Sequence, residues 1–123
     1  MSAADLTRRL YEAYDRRDWE GAASALHEHA VVEMPATRER LAGRDRVIGF
    51  QRDYPEPWGE LRLLRLVGAG ETAAAEVEVV ASDATFRLAA FWRSDDGLLR
   101  DGVEYWLTVG GEEPPPNREH ARD

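Results

Sequence analysis

The sequence predicts a single α+β domain, with helices packed on one face of an antiparallel sheet. Its 123 residues suit one domain whose core is large enough to enclose a small pocket. Apolar residues recur at helical spacing in the first third of the chain and alternate along most of the remainder. Helices followed by a run of strands are typical of this fold class.

The first third is predicted to contain three helices and one short strand. Apolar side chains within residues 6–14 share one face of a first helix. Asp18 is predicted to cap a second helix that continues through Leu26. An apolar strand over residues 30–34 follows. A third helix is expected to end before Pro55, because the residue that precedes a proline is displaced from the helical region.

The second half of the chain is predicted to form four strands, over residues 61–67, 73–81, 85–93 and 98–109. Tight turns at residues 82–83 and at the Asp-Gly pair 96–97 connect the last three strands. Residues 112–123 contain three prolines among charged residues and are predicted to be a flexible tail. The folded domain is therefore expected to span residues 1–111.

Composition narrows the possible functions. The chain has no cysteine, so disulfide scaffolds and cysteine nucleophiles are excluded. Its net charge of −8 argues against nucleic acids and anionic membranes as partners. There is no apolar run of about 20 residues and no apolar signal core near the start, so we expect a cytoplasmic protein that does not span a membrane. No pattern of metal ligands or cofactor-binding residues is evident, and none is expected.

The two tight turns set the pairing of the last three strands. If both turns contain two residues, the predicted pairs are Glu78 with Arg87, Glu76 with Ala89, and Ala89 with Glu104. Because side chains alternate between the faces of a sheet, two surfaces result. The charged surface carries Glu76, Glu78, Arg87, Phe91, Glu104 and Trp106. The apolar surface carries Val77, Val79, Leu88, Ala90, Trp92 and Tyr105. A slip of one residue in either turn would exchange the faces of the next strand.

Two orientations of this sheet are possible. The apolar surface can face the helices while the charged surface meets water, and patterning alone favours this arrangement because half-exposed antiparallel sheets are common. Alternatively, the charged surface lines a pocket beneath the helices and the apolar surface packs on a partner subunit.

The stretch RLYEAYDRRDWEGAASALHEHAVVEMP, residues 9–35, resembles the opening of the ketosteroid isomerases and SnoaL-like polyketide cyclases, which belong to the nuclear transport factor 2-like superfamily. The later DGLLRDGVEYW resembles the last hairpin of that family. The resemblance implies a cone-shaped α+β barrel, with three N-terminal helices on a curved antiparallel sheet that encloses a pocket. It also implies a small-molecule ligand and homodimers formed through the outer sheet face, here that of Val77, Leu88 and Tyr105. It favours the orientation in which the charged surface lines the pocket.

The resemblance also identifies candidate catalytic residues. The positions of the isomerases' catalytic groups are matched by Leu10, Ala89 and Met34, so steroid isomerisation by that mechanism is not expected. Glu104 matches the catalytic acid of the SnoaL-like cyclases and of the limonene epoxide hydrolases. The latter also use an Arg-x-Asp pair, which corresponds here to Glu76 and Glu78.

The predicted site combines these acids with apolar walls. Glu104 is expected to act as general acid and base, assisted by Glu76 or Glu78, with Arg87 as charge partner. One of two carboxylates that share a poorly hydrated pocket should have a raised pKa. The predicted substrate-binding residues are Tyr14, Met34, Trp58, Phe91 and Trp106. Two alternatives stay open: a ligand-binding module without catalysis, and a dimerising accessory domain.

Overall fold

The computed structural model describes residues 1–55, 57–118 and 120, and it confirms the predicted α+β class. In chain order the elements are α1 (Ala3–Arg16), α2 (Trp19–Ser24), β1 (Leu26–Met34), β2 (Glu39–Ala42), α3 (Arg44–Arg52), β3 (Trp58–Ala69), β4 (Thr72–Ala81), β5 (Thr85–Asp95) and β6 (Leu98–Thr108). Among these residues, no helix is long and apolar enough to cross a membrane.

The six strands form one open, curved sheet in the order β2-β1-β6-β5-β4-β3. Strand β1 runs parallel to β6, whereas all other neighbouring strands are antiparallel. The expectation of a wholly antiparallel sheet is therefore wrong at one pair. The chain from β2 to β5 separates β1 from β6, and a connection of that length allows a parallel pair.

Helix α1 begins with a reciprocal cap. The hydroxyl of Ser2 accepts a hydrogen bond from the backbone N–H of Asp5, whose carboxylate accepts one from the backbone N–H of Ser2. The helix ends at Arg16 and is capped by Arg17, which has a left-handed backbone with φ of 58°. The predicted apolar face of Leu6, Leu10, Ala13 and Tyr14 is confirmed as buried, and Tyr11, which was not predicted to belong to it, is buried as well.

The end of α2 and the start of β1 differ from the prediction. Leu26 is not helical: it is the first residue of β1 and is paired with Leu99 of β6. The backbone N–H of Leu99 donates to the carbonyl oxygen of Ala25, so sheet hydrogen bonding takes over where the helix ends. Strand β2 was missed because only four residues form it and they are mostly exposed.

The pairing of β4 with β5 follows the prediction, with Glu78 opposite Arg87 and Glu76 opposite Ala89. The pairing of β5 with β6 does not. A β-bulge lies where Ser94 pairs with Leu99 and Arg93 pairs with Asp101, which leaves one extra residue on β6. The predicted pair of Ala89 and Glu104 is therefore wrong, and Ala90 lies opposite Glu104.

This bulge decides which side chains face the helices. We call the sheet face beneath the helices the inner face and the opposite one the outer face. The inner face carries the core residues Val77, Val79, Leu88, Ala90 and Trp92. The outer face carries Glu76, Glu78, Arg87, Phe91 and Tyr105. Glu104 and Trp106 lie on the inner face, because the bulge exchanges the two faces of β6 relative to the prediction.

The sheet orientation implied by the resemblance is therefore wrong for β4 and β5. Their apolar residues form the interior of the protomer, as patterning alone favoured. Val77 and Leu88 are fully buried and so are not part of a dimer surface, whereas Tyr105 is on the outer face. Within the predicted tail, residues 112–118 are exposed, while residues 119 and 121–123 lie outside the described residues.

Candidate functional site

A pocket of about 690 Å³ opens between α3, the β1–β2 turn and the ends of β4, β5 and β6. Aromatic side chains form much of its wall: Phe50, Tyr54, Trp58, Phe86 and Trp106. Three carboxylates also line it: Glu39, Glu104 and Glu112. Such an apolar concavity with a few polar groups is typical of small-molecule sites.

Glu104 is the buried acid of this pocket, with only 4% of its surface exposed. Its Oε2 accepts a hydrogen bond of 2.7 Å from the Tyr11 hydroxyl, and its Oε1 accepts one of 3.2 Å from the Trp106 indole N–H. The Trp92 indole N–H in turn donates to the Tyr11 oxygen at 2.9 Å. Residues from α1, β5 and β6 thus hold the carboxyl group in one orientation, and a carboxylate retains further lone pairs for a ligand.

Burial raises the pKa of Glu104 above its ordinary value of 4.5, and the hydrogen bonds from Tyr11 and Trp106 partly offset this effect. Burial, followed by the charge of Glu104, also raises the pKa values of Tyr11 and Tyr14 well above 10.0. Both phenols therefore keep their protons, and Tyr11 remains a donor. Of Glu104, Tyr11 and Tyr14, only Glu104 has a pKa that is shifted towards neutral pH.

The predicted site residues divide into three groups. Glu104, Met34, Trp58 and Trp106 come together in the pocket. Tyr14 is fully buried beside Tyr11 and Trp19, with ring centroids 5.9 and 6.2 Å away, and it does not line the pocket. The residues on the outer face, away from Glu104, are Glu76, Glu78, Arg87 and Phe91.

The outer-face acids form a surface ion network. The Arg87 Nε donates to Glu78 at 2.8 Å, as the predicted pairing of these two residues requires, and its guanidinium lies 3.4 Å from Glu76. The hydrogen bond from Arg65 lowers the pKa of Glu76. The expected pKa coupling between Glu76 and Glu104 is therefore wrong, because the two carboxylates lie on opposite faces of the sheet.

Sequence reasoning missed Tyr11 as a partner of Glu104, and it missed Phe50 of α3 and the nearby Tyr54 as pocket residues. Tyr11 lies four residues after the buried Thr7 and one after Leu10, so helical spacing could have placed it on the buried face. Of the three positions matched to the isomerases' catalytic groups, only Met34 lines the pocket. Ala89 is on the outer face.

No metal centre is evident in the part of the chain that the structure describes, since no three His, Asp or Glu side chains there are grouped to hold an ion. The residues placed to hold a small organic ligand are those of the pocket wall around Glu104.

The curved sheet, the helices on its inner face and the pocket beneath them define a protein of the nuclear transport factor 2-like superfamily. Within that superfamily the chain belongs to the SnoaL-like domain family, which matches residues 7–102. A comparison with curated protein sequences gave no match.

Solved structures agree with this assignment. A Kribbella flavida DSM 17836 protein named "putative ketosteroid isomerase" is 32% identical, with a TM-score of 0.87 over 98% of this chain and 87% of that one. A Burkholderia pseudomallei NTF2-like protein of unknown function is 27% identical, with a TM-score of 0.69 over 89% and 95% of the two chains. An M. tuberculosis protein described as an LEH-like epoxide hydrolase is 19% identical and shares the fold, with a TM-score of 0.71 over 85% and 82%.

Replacing Tyr11 with Phe is expected to destabilise the fold by about 1–2 kcal/mol. The change leaves Glu104 without one donor and the buried Trp92 N–H without its acceptor. Since the Tyr11 hydrogen bond lowers the pKa of Glu104, its loss raises that pKa further and penalises the buried carboxylate more. The destabilisation should therefore be larger at mildly alkaline pH than at mildly acidic pH, as measured by urea unfolding.

The matched control is Tyr105→Phe, which removes the hydroxyl of a half-exposed tyrosine on the outer face. It should change the unfolding free energy little at either pH. An equal loss of stability in both variants would contradict a specific role for the Tyr11 hydrogen bonds.

Proposed function

We propose that this protein is an enzyme that moves a proton on a small, mostly apolar metabolite, with Glu104 as the general acid and base. The observation that carries the proposal is a carboxyl group buried in a pocket wall and oriented by two donors. Burial opposes its charged form, so the carboxylate is a stronger base than one in water. The reaction classes that fit are cyclisation, isomerisation, dehydration and addition of water.

Each neighbour of Glu104 has a distinct part in this proposal. Tyr11 and Trp106 are positioning residues, because they hold the two carboxyl oxygens and stabilise the charge that remains after Glu104 gives up its proton. Trp58, Phe50 and Met34 contribute apolar surface for the ligand. The burial of Glu104 strengthens the electrostatic interactions of its carboxyl group relative to those in water.

The names of the related structures support proton-transfer chemistry without fixing the reaction. Ketosteroid isomerisation moves a proton between carbon atoms, and epoxide hydrolysis activates a water molecule. Of the three residues matched to the isomerase groups, only Met34 lines the pocket and its side chain cannot transfer a proton, so we do not propose steroid isomerisation by that mechanism.

The test is conversion of a panel of apolar ketones, enones, epoxides and alcohols, each with and without an amino group, by the wild type and by Glu104→Gln, monitored by mass spectrometry. Product formation that disappears in Glu104→Gln supports the proposal. Conversion at an undiminished rate in that variant overturns the role of Glu104. Saturable binding of a panel compound without any conversion would instead select the ligand-binding module.

We also propose that two copies of the chain associate through the outer sheet face. Val67, Phe91 and Tyr105 are 67%, 50% and 47% exposed there, and the last two rings are in edge contact at 6.1 Å. The adjoining ion network carries both signs of charge, so the surface can complement itself. Light scattering should give the mass of a dimer, and Phe91→Glu should shift it to a monomer. A monomeric wild type at high micromolar concentration would contradict this association.

A further inference from the structure

The charged side chains that line the pocket are all acidic. Its carboxylates are Glu39, Glu104 and Glu112, and no Arg or His among the described residues lines it. The chain as a whole carries a net charge of −8. An anionic ligand would therefore enter a negative cavity without a counter-ion, whereas a cationic ligand would be attracted towards it.

In addition to this negative charge, the pocket has aromatic side chains that can attract a cation. The face of an indole or phenyl ring attracts ammonium and guanidinium groups through its quadrupole. Trp58 shows this tendency within the protein itself, because the Arg17 guanidinium lies 3.6 Å from the centroid of its ring. Arg17 is not among the lining residues, so the side chains that line the pocket contribute negative charge only.

We propose that the polar group of the ligand is a protonated amine, bound beside Glu104 within the aromatic wall, with the apolar body of the ligand filling the rest of the pocket. This inference rests on the proposed function only in taking the pocket as the ligand site. It names a substrate class, the apolar primary, secondary or tertiary amines.

Glu104 suits an ammonium partner for a physical reason. Two of its carboxylate lone pairs are occupied by Tyr11 and Trp106, and the remaining ones are available to an N–H donor. A buried carboxylate without a cation is unfavourable, and an ammonium within about 4–6 Å removes much of that cost. Glu39 and Glu112 are exposed and add a negative field at the mouth of the pocket.

The experiment compares three probes that share one apolar body and differ in charge: phenylbutylamine, phenylbutanol and phenylbutanoate. Binding is followed at neutral pH by tryptophan fluorescence, because Trp58 and Trp106 lie in the pocket wall. The amine should bind at least about tenfold more tightly than the alcohol. The carboxylate should bind more weakly than the alcohol.

Two variants test whether the preference arises in the pocket. Glu104→Gln should reduce the ratio of amine to alcohol affinity to about threefold or less, since the buried charge partner is lost. Glu76→Gln makes the same change on the outer face and should leave the ratio unaltered. A ratio that falls equally in both variants would indicate a general effect of net charge and would overturn the inference.

An amine that binds no more tightly than the alcohol overturns the inference, and so does the absence of saturable binding for all three probes. A different result would contradict the proposed function: a substrate that Glu104→Gln converts as fast as the wild type does. If phenylbutanol binds best and Glu104 is still required for turnover, the amine class is wrong and the acid–base role remains.

Discussion

Glu104→Gln is expected to lower turnover of a productive substrate by about 10²- to 10⁴-fold, the usual contribution of one general acid or base. Gln keeps nearly the same shape but neither gives up nor takes a proton at this position. The fold should persist, because the Gln amide oxygen can still accept a hydrogen bond from Tyr11 or Trp106. The measurement is the steady-state rate, with circular dichroism of both proteins as the check on folding.

The pH dependence of the unfolding free energy provides a second, independent test of Glu104→Gln. The folded-state pKa of Glu104 is raised, so the folded protein binds this proton more tightly than the unfolded chain does. The stabilisation from that proton is fully present below the ordinary value of 4.5 and is lost as the pH rises through the folded-state pKa. The unfolding free energy of Glu104→Gln relative to wild type should therefore increase with pH.

The control for both measurements is Glu76→Gln, whose carboxylate lies in the outer-face ion network. It should retain turnover within about twofold and should show the opposite trend with pH, because the pKa of Glu76 is lowered in the folded state. Loss of turnover in Glu76→Gln comparable to that in Glu104→Gln would contradict the assignment of the site to the inner face.

Gly102→Ala is expected to destabilise the protein by about 3 kcal/mol, at the upper end for overpacking by one methyl group. Gly102 pairs with Trp92 across β5 and β6, and an added Cβ would lie 2.6 to 2.8 Å from three atoms of the Trp92 ring. That ring is buried and its N–H is held by Tyr11, so it has little freedom to move. Urea unfolding measures the loss.

Gly49→Ala in α3 is the matched control, since its added Cβ would meet nothing closer than 3.6 Å. It should raise stability slightly, because alanine is the better helix former. Gly102→Ala should also reduce turnover, as displacement of Trp92 moves Tyr11 and with it the Glu104 carboxyl group. Wild-type stability in Gly102→Ala would contradict the close packing of Trp92 on β6.

Most of the fold could be predicted because its signals are local. The apolar face of α1, the four long strands and the pairing of β4 with β5 all follow from periodicity and one turn. Glu104 and Trp106 were also predicted to be pocket residues, but the prediction used a pairing of Ala89 with Glu104 that the structure contradicts. For Glu104 the match to the family's catalytic acid indicated the same residue independently of that pairing, whereas Trp106 was placed only by the pairing together with the orientation that the resemblance implied.

The β-bulge could not be predicted, because neither the alternation along β6 nor the turn that precedes it indicates an extra residue in one strand. At the bulge the backbone N–H of Ser94 donates to the carbonyl oxygen of Glu71 at 2.7 Å, and Glu71 lies in the turn between β3 and β4. Nothing in the Asp-Gly turn at residues 96–97 indicates this contact. The outward position of Glu76 and Glu78 is in contrast what their alternation with valines suggests for an exposed sheet face.

The additional residue in β6 also affects how members of this family should be compared. On β6, Leu99 and Glu104 are both buried although five positions separate them, which an uninterrupted strand would not allow. A homologue with a straight final hairpin would need its acid shifted by one position to reach the same cavity. Alignments that search this superfamily for equivalent acids should therefore permit a single-residue gap near Arg100, since an ungapped count would match an internal side chain with a solvent-facing one.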